Sequence, residues 1–134
     1  MNRRKQRLTA IVCFYIYFFR PRDIEEIIAD FYESFIKDQE DSEYLMFDDL
    51  TKQMMIDAIS SQSLIITKIE KHLKTGWTFL RLGLVEQAIL FMAISELVYE
   101  IDDKPIIINE AIEIAKIYGD EDSYKMINAI LDKL

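Results

Sequence analysis

Four cations crowd the start of the chain and are the first residues whose chemistry suggests a function: Arg3, Arg4, Lys5 and Arg7. Basic side chains at this spacing neutralise phosphates when a protein binds nucleic acid. A largely apolar run from Leu8 to Phe19 follows directly. The same segment is therefore also consistent with the charged start and apolar centre of an export signal or a membrane anchor.

The length of the apolar run separates these interpretations. A helix needs about 20 apolar residues to span a bilayer, whereas this run holds about 12 before Arg20. A signal peptide needs a small-residue cleavage site after its apolar centre, but Arg20, Pro21 and Arg22 stand there instead. We therefore expect no membrane contact, and a buried first helix with an exposed basic lead.

Tyr15 is the aromatic residue of this first helix with the clearest alternative roles. On a helical wheel it shares one side with Arg4 and Arg7. It either joins the core with the other aromatic residues of the segment or offers a flat face on which a base of single-stranded RNA stacks. The residues alone leave both roles open.

Composition favours a single helical domain. The chain has 134 residues, of which 51% are hydrophobic and 30% charged, with only 3 Gly and 2 Pro. This excludes a disordered chain and supplies few turn residues for a many-stranded fold. The length suits one domain with its own core, so we expect one all-α domain over residues 1–134.

The net charge of −8 is unevenly distributed along the chain. Residues 1–22 hold six basic side chains and no acidic one, so the remaining 10 basic residues stand against all 24 acidic ones, a net charge of −14. An acidic protein repels polyanions over most of its surface. Nucleic-acid binding should therefore be confined to basic regions and should weaken as salt rises.

Few residues are available for catalysis or metal binding. Cys13 is the only cysteine and His72 the only histidine, which excludes an internal disulfide and favours a reducing, cytoplasmic setting. A zinc site has too few ligands, and no phosphate loop, nucleophile elbow or paired-histidine helix is present. Acidic pairs lie where helices should begin and are predicted to be caps. We expect no cofactor, no metal and no enzymatic activity.

Apolar periodicity predicts six or seven helices and no strand. The predicted helices cover residues 4–19, 23–37, 47–72, 84–99, 105–118 and a last segment capped by Asp120 or Asp122. The sequence SSQS at 60–63 divides the third of these if there are seven helices. Residues 37–44 should form a solvated acidic loop, and Gly119 is predicted to end its helix in the left-handed conformation.

Three sequence elements stand out in the second half of the chain. The first comprises Trp77, Arg81, Leu82, Glu86, Ala88, Leu90, Glu96 and Leu97. The others comprise Ile108, Asn109, Glu110, Ala111, Ala115 and Lys116, followed by Asn128 and Leu131. Over some 58 residues these elements resemble the bacterial transcription antitermination factor NusB family. The arginine-rich lead and Tyr15 also match family positions, whereas residues 20–64 match in helical character only.

The resemblance implies an all-α bundle of two small helical subdomains, about 1–74 and 75–134, without catalysis. It implies binding to single-stranded boxA-type RNA together with the ribosomal protein NusE, within the transcription elongation complex of ribosomal RNA operons. An alternative keeps the fold as a protein-interaction or ribosome-assembly module without sequence-specific RNA recognition. The apolar first helix must be covered, which also leaves a homodimer open.

The RNA-binding residues that the resemblance implies lie near both ends of the chain, with Glu86 between them. They are Arg3, Arg4, Lys5 and Arg7 on phosphates, Tyr15 on a base, and Glu86, Asp122, Lys125 and Met126 along the border of the RNA surface. If all four cations contact phosphates, the logarithm of the binding constant should fall with the logarithm of salt concentration at a slope of about −2.8.

Three positions depart from the family pattern. Met126 stands where an aromatic residue is common, Ala129 where a glycine is usual, and Phe91 where an arginine is often found. A methionine packs against a base without stacking like a ring, so the first change should weaken RNA binding by roughly 1 to 3 kcal/mol. We expect the fold to survive all three changes.

Overall fold

The computed structural model describes residues 3–38 and 45–134, and these residues form seven α-helices and no strand. The helices are α1 (Arg3–Phe19), α2 (Ile24–Phe35), α3 (Asp49–Ser60), α4 (Gln62–Glu70), α5 (Leu84–Val98), α6 (Lys104–Tyr118) and α7 (Glu121–Leu131), with a short 3-10 turn at Phe79–Arg81. The predicted all-α class is confirmed. Most of the predicted acidic loop, residues 39–44, lies outside the described residues.

Local sequence sets most helix ends as predicted. Pro21 follows α1, whose last backbone bond runs from Arg20 N–H to the carbonyl of Ile16 at 3.0 Å. Asp23 caps α2 by accepting a hydrogen bond from the backbone N–H of Glu25 at 2.9 Å. The long third segment is two helices, because Ser61 leaves the helical conformation between α3 and α4.

The end of α6 differs from the prediction. Gly119 has φ −92° and ψ 165°, which is extended backbone and not the left-handed conformation. Glycine is needed there for space, since a Cβ would lie 2.8 Å from the carbonyl oxygen of Ala115. Of the two predicted caps of α7, Asp120 is the one that accepts a hydrogen bond from the backbone N–H of Ser123, at 2.7 Å.

Helix α5 runs through the middle of the core and is buried on every side from Gln87 to Glu96. Helix α1 lies antiparallel against it, since Arg7 contacts Glu96 near one end and Phe14 contacts Phe91 further along. The ring of Phe91 lies 4.8 Å from that of Phe14. Phe91, which stands where the family often has an arginine, therefore packs in the aromatic core. An apolar residue is expected at this position because α5 is buried on every side.

A buried ion pair accompanies this apolar contact between α1 and α5. Arg7 is 3% exposed and Glu96 is fully buried, and Arg7 Nε donates to both carboxylate oxygens of Glu96 at 3.1 and 2.9 Å. Arg7 Nη2 also donates to Asp102 at 3.2 Å, and Arg3 lies 3.7 Å from Glu96. Burial lowers the pKa of Arg7, but the bonds to Glu96 and Asp102 outweigh burial and hold that pKa above its ordinary value.

None of the helices in residues 3–38 and 45–134 is both long enough and apolar enough to cross a bilayer. α1, the helix that raised the membrane interpretation, has 17 residues and includes the buried cation Arg7.

Removing one partner of the buried pair should destabilise the protein far more than removing both. Arg7→Met leaves the Glu96 carboxylate buried without its main partner, so we expect a loss of about 3–5 kcal/mol in the free energy of unfolding. The double variant Arg7→Met, Glu96→Leu removes both charges and should lie near the parent. Urea unfolding followed by circular dichroism measures both values.

Arg22 supplies the control for this prediction. It pairs with Asp30 at 2.8 Å, but both side chains are solvent-exposed, so Arg22→Met should cost at most about 1 kcal/mol. Equal losses from Arg7→Met and Arg22→Met would contradict the assignment of Arg7 as a buried structural cation.

Candidate nucleic-acid interface

A groove lies between α1 and α6, with the start of α5 as its floor. We call it the α1–α6 groove, and it has a cavity volume of about 590 Å³. Its lining comprises Arg4, Lys5, Leu8, Ile11, Val12 and Tyr15 of α1, Leu45 from the segment before α3, Val85 and Ile89 of α5, and Ile114 and Tyr118 of α6. The floor is aliphatic, and both charged residues in the lining are cations.

Tyr15 faces this groove and does not join the core. It is 39% exposed and lines the groove together with Arg4 and Lys5. Of the two positions that the sequence left open for Tyr15, core or surface, the structure shows the surface position. An exposed aromatic ring beside cations is the arrangement that proteins use to stack bases and hold the neighbouring phosphates.

Tyr118 is a groove residue that the sequence analysis missed. It lies across from α1 at the end of α6 and is 58% exposed. In the sequence it marked only the last turn before Gly119. Only the packing of α6 beside α1 places it in the same groove as Tyr15, so no local pattern identified it.

Arg3 and Arg4 make contacts within the protein while keeping part of their side chains in solvent. Arg4 Nε donates to Glu110 of α6 at 2.8 Å, and this bond raises the pKa of Arg4. Arg3 Nη1 lies 3.5 Å from the hydroxyl of Thr51. The guanidinium of Arg4 therefore fixes α6 beside α1 and stands at the rim of the groove at the same time.

Arg7 neighbours Arg4 on the helical wheel but is buried beside the groove and does not line it. It shares the spacing of Ala10 and Phe14, three and seven residues further along, and all three are buried. Its guanidinium is occupied by Glu96 and Asp102, so the structure does not place it with the predicted phosphate-binding cations. The i, i+3, i+7 spacing of Arg7, Ala10 and Phe14 already indicated a shared buried face. The positive charge of Arg7 suggested an exposed position instead.

Glu86 joins the starts of two helices. One carboxylate oxygen accepts from the backbone N–H of Gly83 at 3.1 Å, as in a capping box. The other accepts from the hydroxyl of Ser123 in α7 at 2.7 Å. This predicted border residue therefore positions α7 relative to α5, and it remains half-buried at the surface.

The remaining predicted residues lie on α7, where Asp122 and Lys125 are exposed and Met126 is half-buried. Lys125 pairs with Glu121 at 3.2 Å. A second groove of about 400 Å³ lies along this helix, and we call it the Trp77 groove. Its polar lining comprises His72, Lys74, Lys125 and Lys133, and its apolar lining comprises Leu73, Trp77, Leu82, Met126, Ala129 and Ile130.

A tight turn presents Trp77 to this groove. The backbone N–H of Trp77 donates to the carbonyl of Lys74 at 2.9 Å, and Gly76 has φ +85°, a conformation that L side chains rarely adopt. The guanidinium of Arg81 lies 4.7 Å from the centre of the indole ring and donates to the carbonyl of Gly76 at 3.2 Å. The ring is held in place while remaining 46% exposed.

The start of α5 brings the two grooves next to each other. Leu82 lines the Trp77 groove and Val85 lines the α1–α6 groove, only three residues apart. Glu86 follows at once and contacts α7 through Ser123. Arg4, Lys5 and Tyr15 from one end of the chain and Lys125 and Met126 from the other therefore lie on adjoining surfaces. Arg7 lies in the interior, and Arg3 lines neither groove but lies beside Thr51 and Glu96.

The described residues bring together no group of three or more His, Cys, Asp or Glu side chains that could hold a metal ion. Cys13 is buried, and burial raises the pKa of its thiol to about 12. A thiol in that environment stays protonated at neutral pH and packs as a small apolar group.

These features define a seven-helix protein, within the described residues, whose surface combines cations with exposed aromatic rings along two adjoining grooves. That combination is typical of proteins that bind single-stranded nucleic acid. The chain belongs to the NusB family, whose sequence profile matches residues 4–134. The family resemblance read from the sequence motifs is confirmed.

Individual relatives support this assignment over the full chain. The chain is 36% identical over 136 residues to the transcription antitermination protein NusB of Oceanobacillus iheyensis, covering 100% of this chain and 98% of that protein. It is similar to the structure of T. maritima NusB, with a TM-score of 0.75 at 32% identity and coverage of 99% and 89%. It is also similar to a chain in the crystal structure of the antitermination factors NusB and NusE in complex with dsRNA, with a TM-score of 0.79 at 25% identity and coverage of 98% and 93%.

The cap of α7 should make part of the stability dependent on acid pH. The backbone N–H of Ser123 is the main cause that lowers the pKa of Asp120 in the folded protein. A lowered folded pKa gives a stabilising contribution that is complete above the unfolded value of about 3.9 and is lost as pH falls through the folded pKa. Asp120→Asn keeps a neutral cap, so its stability should lose this dependence.

Urea unfolding of the parent and Asp120→Asn between about pH 7 and 2.5 tests this point. The difference in unfolding free energy between the parent and Asp120→Asn should be constant above about pH 5. Below about pH 4 the parent should lose stability relative to Asp120→Asn. Parallel curves over the whole range would show that the Asp120 carboxylate does not contribute as a charged cap.

Proposed function

We propose that this chain is a non-catalytic transcription antitermination factor that binds single-stranded boxA-type RNA together with NusE. Its setting would be the elongation complex on ribosomal RNA operons, in the cytoplasm. Membership of the NusB family supports the class of activity. The observation that carries the RNA proposal is the exposed ring of Tyr15 beside Arg4 and Lys5 over an aliphatic groove.

The chemistry of the surface favours unpaired bases. Sequence-specific recognition of RNA uses bases that are splayed out, stacked on aromatic rings and bonded along their edges. Tyr15 and Tyr118 offer rings in one groove, while Glu86 and Asp122 offer carboxylate oxygens that repel phosphates and accept from base amino groups. One similar structure holds NusB and NusE with dsRNA, so single- and double-stranded forms of the same sequence should be compared directly.

Tyr15→Ala should weaken binding of a boxA-type single strand by about 1–3 kcal/mol, because it removes a stacking surface. Fluorescence anisotropy of a labelled oligonucleotide, with and without NusE, measures the change. Tyr32 is a matched control, because it is 43% exposed and lies on α2. If Tyr32→Ala weakens binding as much as Tyr15→Ala does, the proposed groove is not the RNA site.

The salt dependence distinguishes the exposed cations from the buried one. With Arg7 in the interior, Arg3, Arg4 and Lys5 of the lead together contribute at most about −2.1 to the slope, in place of −2.8. Lys5→Gln should reduce the magnitude of the measured slope by about 0.7, whereas the charge-free double variant Arg7→Met, Glu96→Leu should leave it unchanged. A smaller slope in that double variant would return Arg7 to the RNA surface.

Met126→Phe tests whether RNA passes over α7. Restoring a ring at this half-buried position should strengthen binding by up to roughly 1–3 kcal/mol if a base lies there. An unchanged affinity in the anisotropy assay would remove Met126 and its neighbour Lys125 from the proposed interface.

The second candidate function is a protein-interaction or ribosome-assembly module. The ion pair between Arg4 and Glu110 favours this function, because it engages one cation of the basic lead within the protein. This role would be supported if the protein captures NusE and if the complex binds RNAs of unrelated sequence with equal affinity. Sedimentation equilibrium of the free protein would show whether it forms a homodimer, and loss of the dimer in a Leu8→Glu variant would place the α1–α6 groove in its interface.

A further inference from the structure

We propose that the Trp77 groove is a second single-stranded RNA subsite, in which Trp77 stacks a base and Lys74, Lys125 and Lys133 hold the flanking phosphates. This inference rests on the proposed RNA-binding function and extends it. The RNA strand would pass from the α1–α6 groove over the start of α5 and then along α7.

The charge of the groove is the first argument. The chain has a net charge of −8, yet every charged side chain that lines this groove is basic. Lys125 also pairs with Glu121, and both of these side chains are largely exposed to solvent. A local cluster of cations attracts an anionic ligand, while the acidic remainder of the protein surface repels it.

The aromatic and apolar lining is the second argument. Trp77 lines the groove with its ring 46% exposed, and Leu82 and Ile130 form a buried apolar floor beside it. A free phosphate or a simple anion would gain nothing from this surface. A nucleotide has both parts of the matching chemistry, a flat base for the ring and a phosphate for the lysines.

The orientation of the ring is fixed before any ligand binds. The turn at Gly76 and the stacked guanidinium of Arg81 restrict the indole, so stacking a base costs little side-chain entropy. Arg81 covers one side of the ring and adds a further positive charge close to the groove. Trp77 and Arg81 belong to the shared sequence element, and neither has a role in the RNA surface proposed above.

Continuity between the two grooves is the third argument. Leu82, just before α5, and Val85, in the first turn of α5, line different grooves. Met126 connects the predicted RNA border to the Trp77 groove. A strand that leaves Tyr15 and crosses Glu86 therefore reaches Trp77 without crossing a run of buried residues. An acidic peptide matches the charge but not the exposed indole, so RNA is the better occupant.

Trp77 is the only tryptophan in the chain, so the tryptophan fluorescence of the protein reports on this groove alone. We expect a boxA-type single strand extended by several nucleotides at both ends to quench the emission. The midpoint should coincide with that of the anisotropy titration of the same labelled RNA. Trp77→Leu should weaken binding about 5- to 150-fold, the range for loss of one stacked base.

Lysine substitutions keep the proposal testable if Trp77→Leu folds poorly. The double variant Lys74→Gln, Lys133→Gln should reduce the magnitude of the salt slope by about 1.4, or 0.7 for each phosphate of a single strand that is no longer neutralised. The matched control Lys37→Gln, Lys52→Gln removes two exposed lysines from α3 and the end of α2 and should leave the slope unchanged. Equal slopes for the two double variants would overturn the proposal.

Separate outcomes distinguish this subsite from the proposed function. Binding of boxA-type RNA with unchanged Trp77 emission would overturn the subsite and leave the function intact. A second probe is an oligouridine of about 12 nucleotides, which is within the length range of one single-strand site. If it quenches the emission as strongly as boxA-type RNA does, the subsite is supported and sequence-specific recognition is contradicted. Equal quenching by an oligoglutamate of the same charge would overturn the assignment to RNA and identify an acidic-peptide site.

Discussion

The contact between α1 and α5 is the interaction on which the other features of this protein depend. Arg7 and Glu96 form a buried, two-pronged ion pair, and the rings of Phe14 and Phe91 meet further along the same two helices. Apolar packing alone permits several sliding positions of one helix on another, whereas a buried pair has one geometry of low energy. We therefore infer that the pair selects the register of α1 on α5.

That register determines which face of α1 meets solvent. With Arg7 directed inward, Arg4, Lys5 and Tyr15 face the groove that α6 completes. The ion pair from Arg4 to Glu110 then holds α6 at the groove's edge. The structural cation and the surface cations thus have different tasks although they are neighbours in the sequence. A count of basic residues overestimates the number available to phosphates.

Helix α7 depends on the same arrangement through Glu86. Its two carboxylate oxygens connect the start of α5 to Gly83 and to Ser123, so the position of α7 follows from that of α5. The cationic Trp77 groove forms where α7 faces the turn at Gly76. Helix α5 therefore forms the floor of the α1–α6 groove and, through Glu86, positions the helix that borders the Trp77 groove.

The sequence by itself determined the all-α class, the family and most helix ends, because caps, proline and apolar periodicity act over a few residues. The division between residues 74 and 75 stays a prediction. Tertiary structure alone decided that Arg7 is buried, that Tyr15 is exposed and that Tyr118 and Trp77 line grooves. These facts depend on which distant helix covers each face: Glu96 lies 89 positions beyond its partner Arg7. The requirement for glycine at position 119 is local by contrast, since a Cβ there would lie too close to Ala115 and Ser123, four residues away on either side.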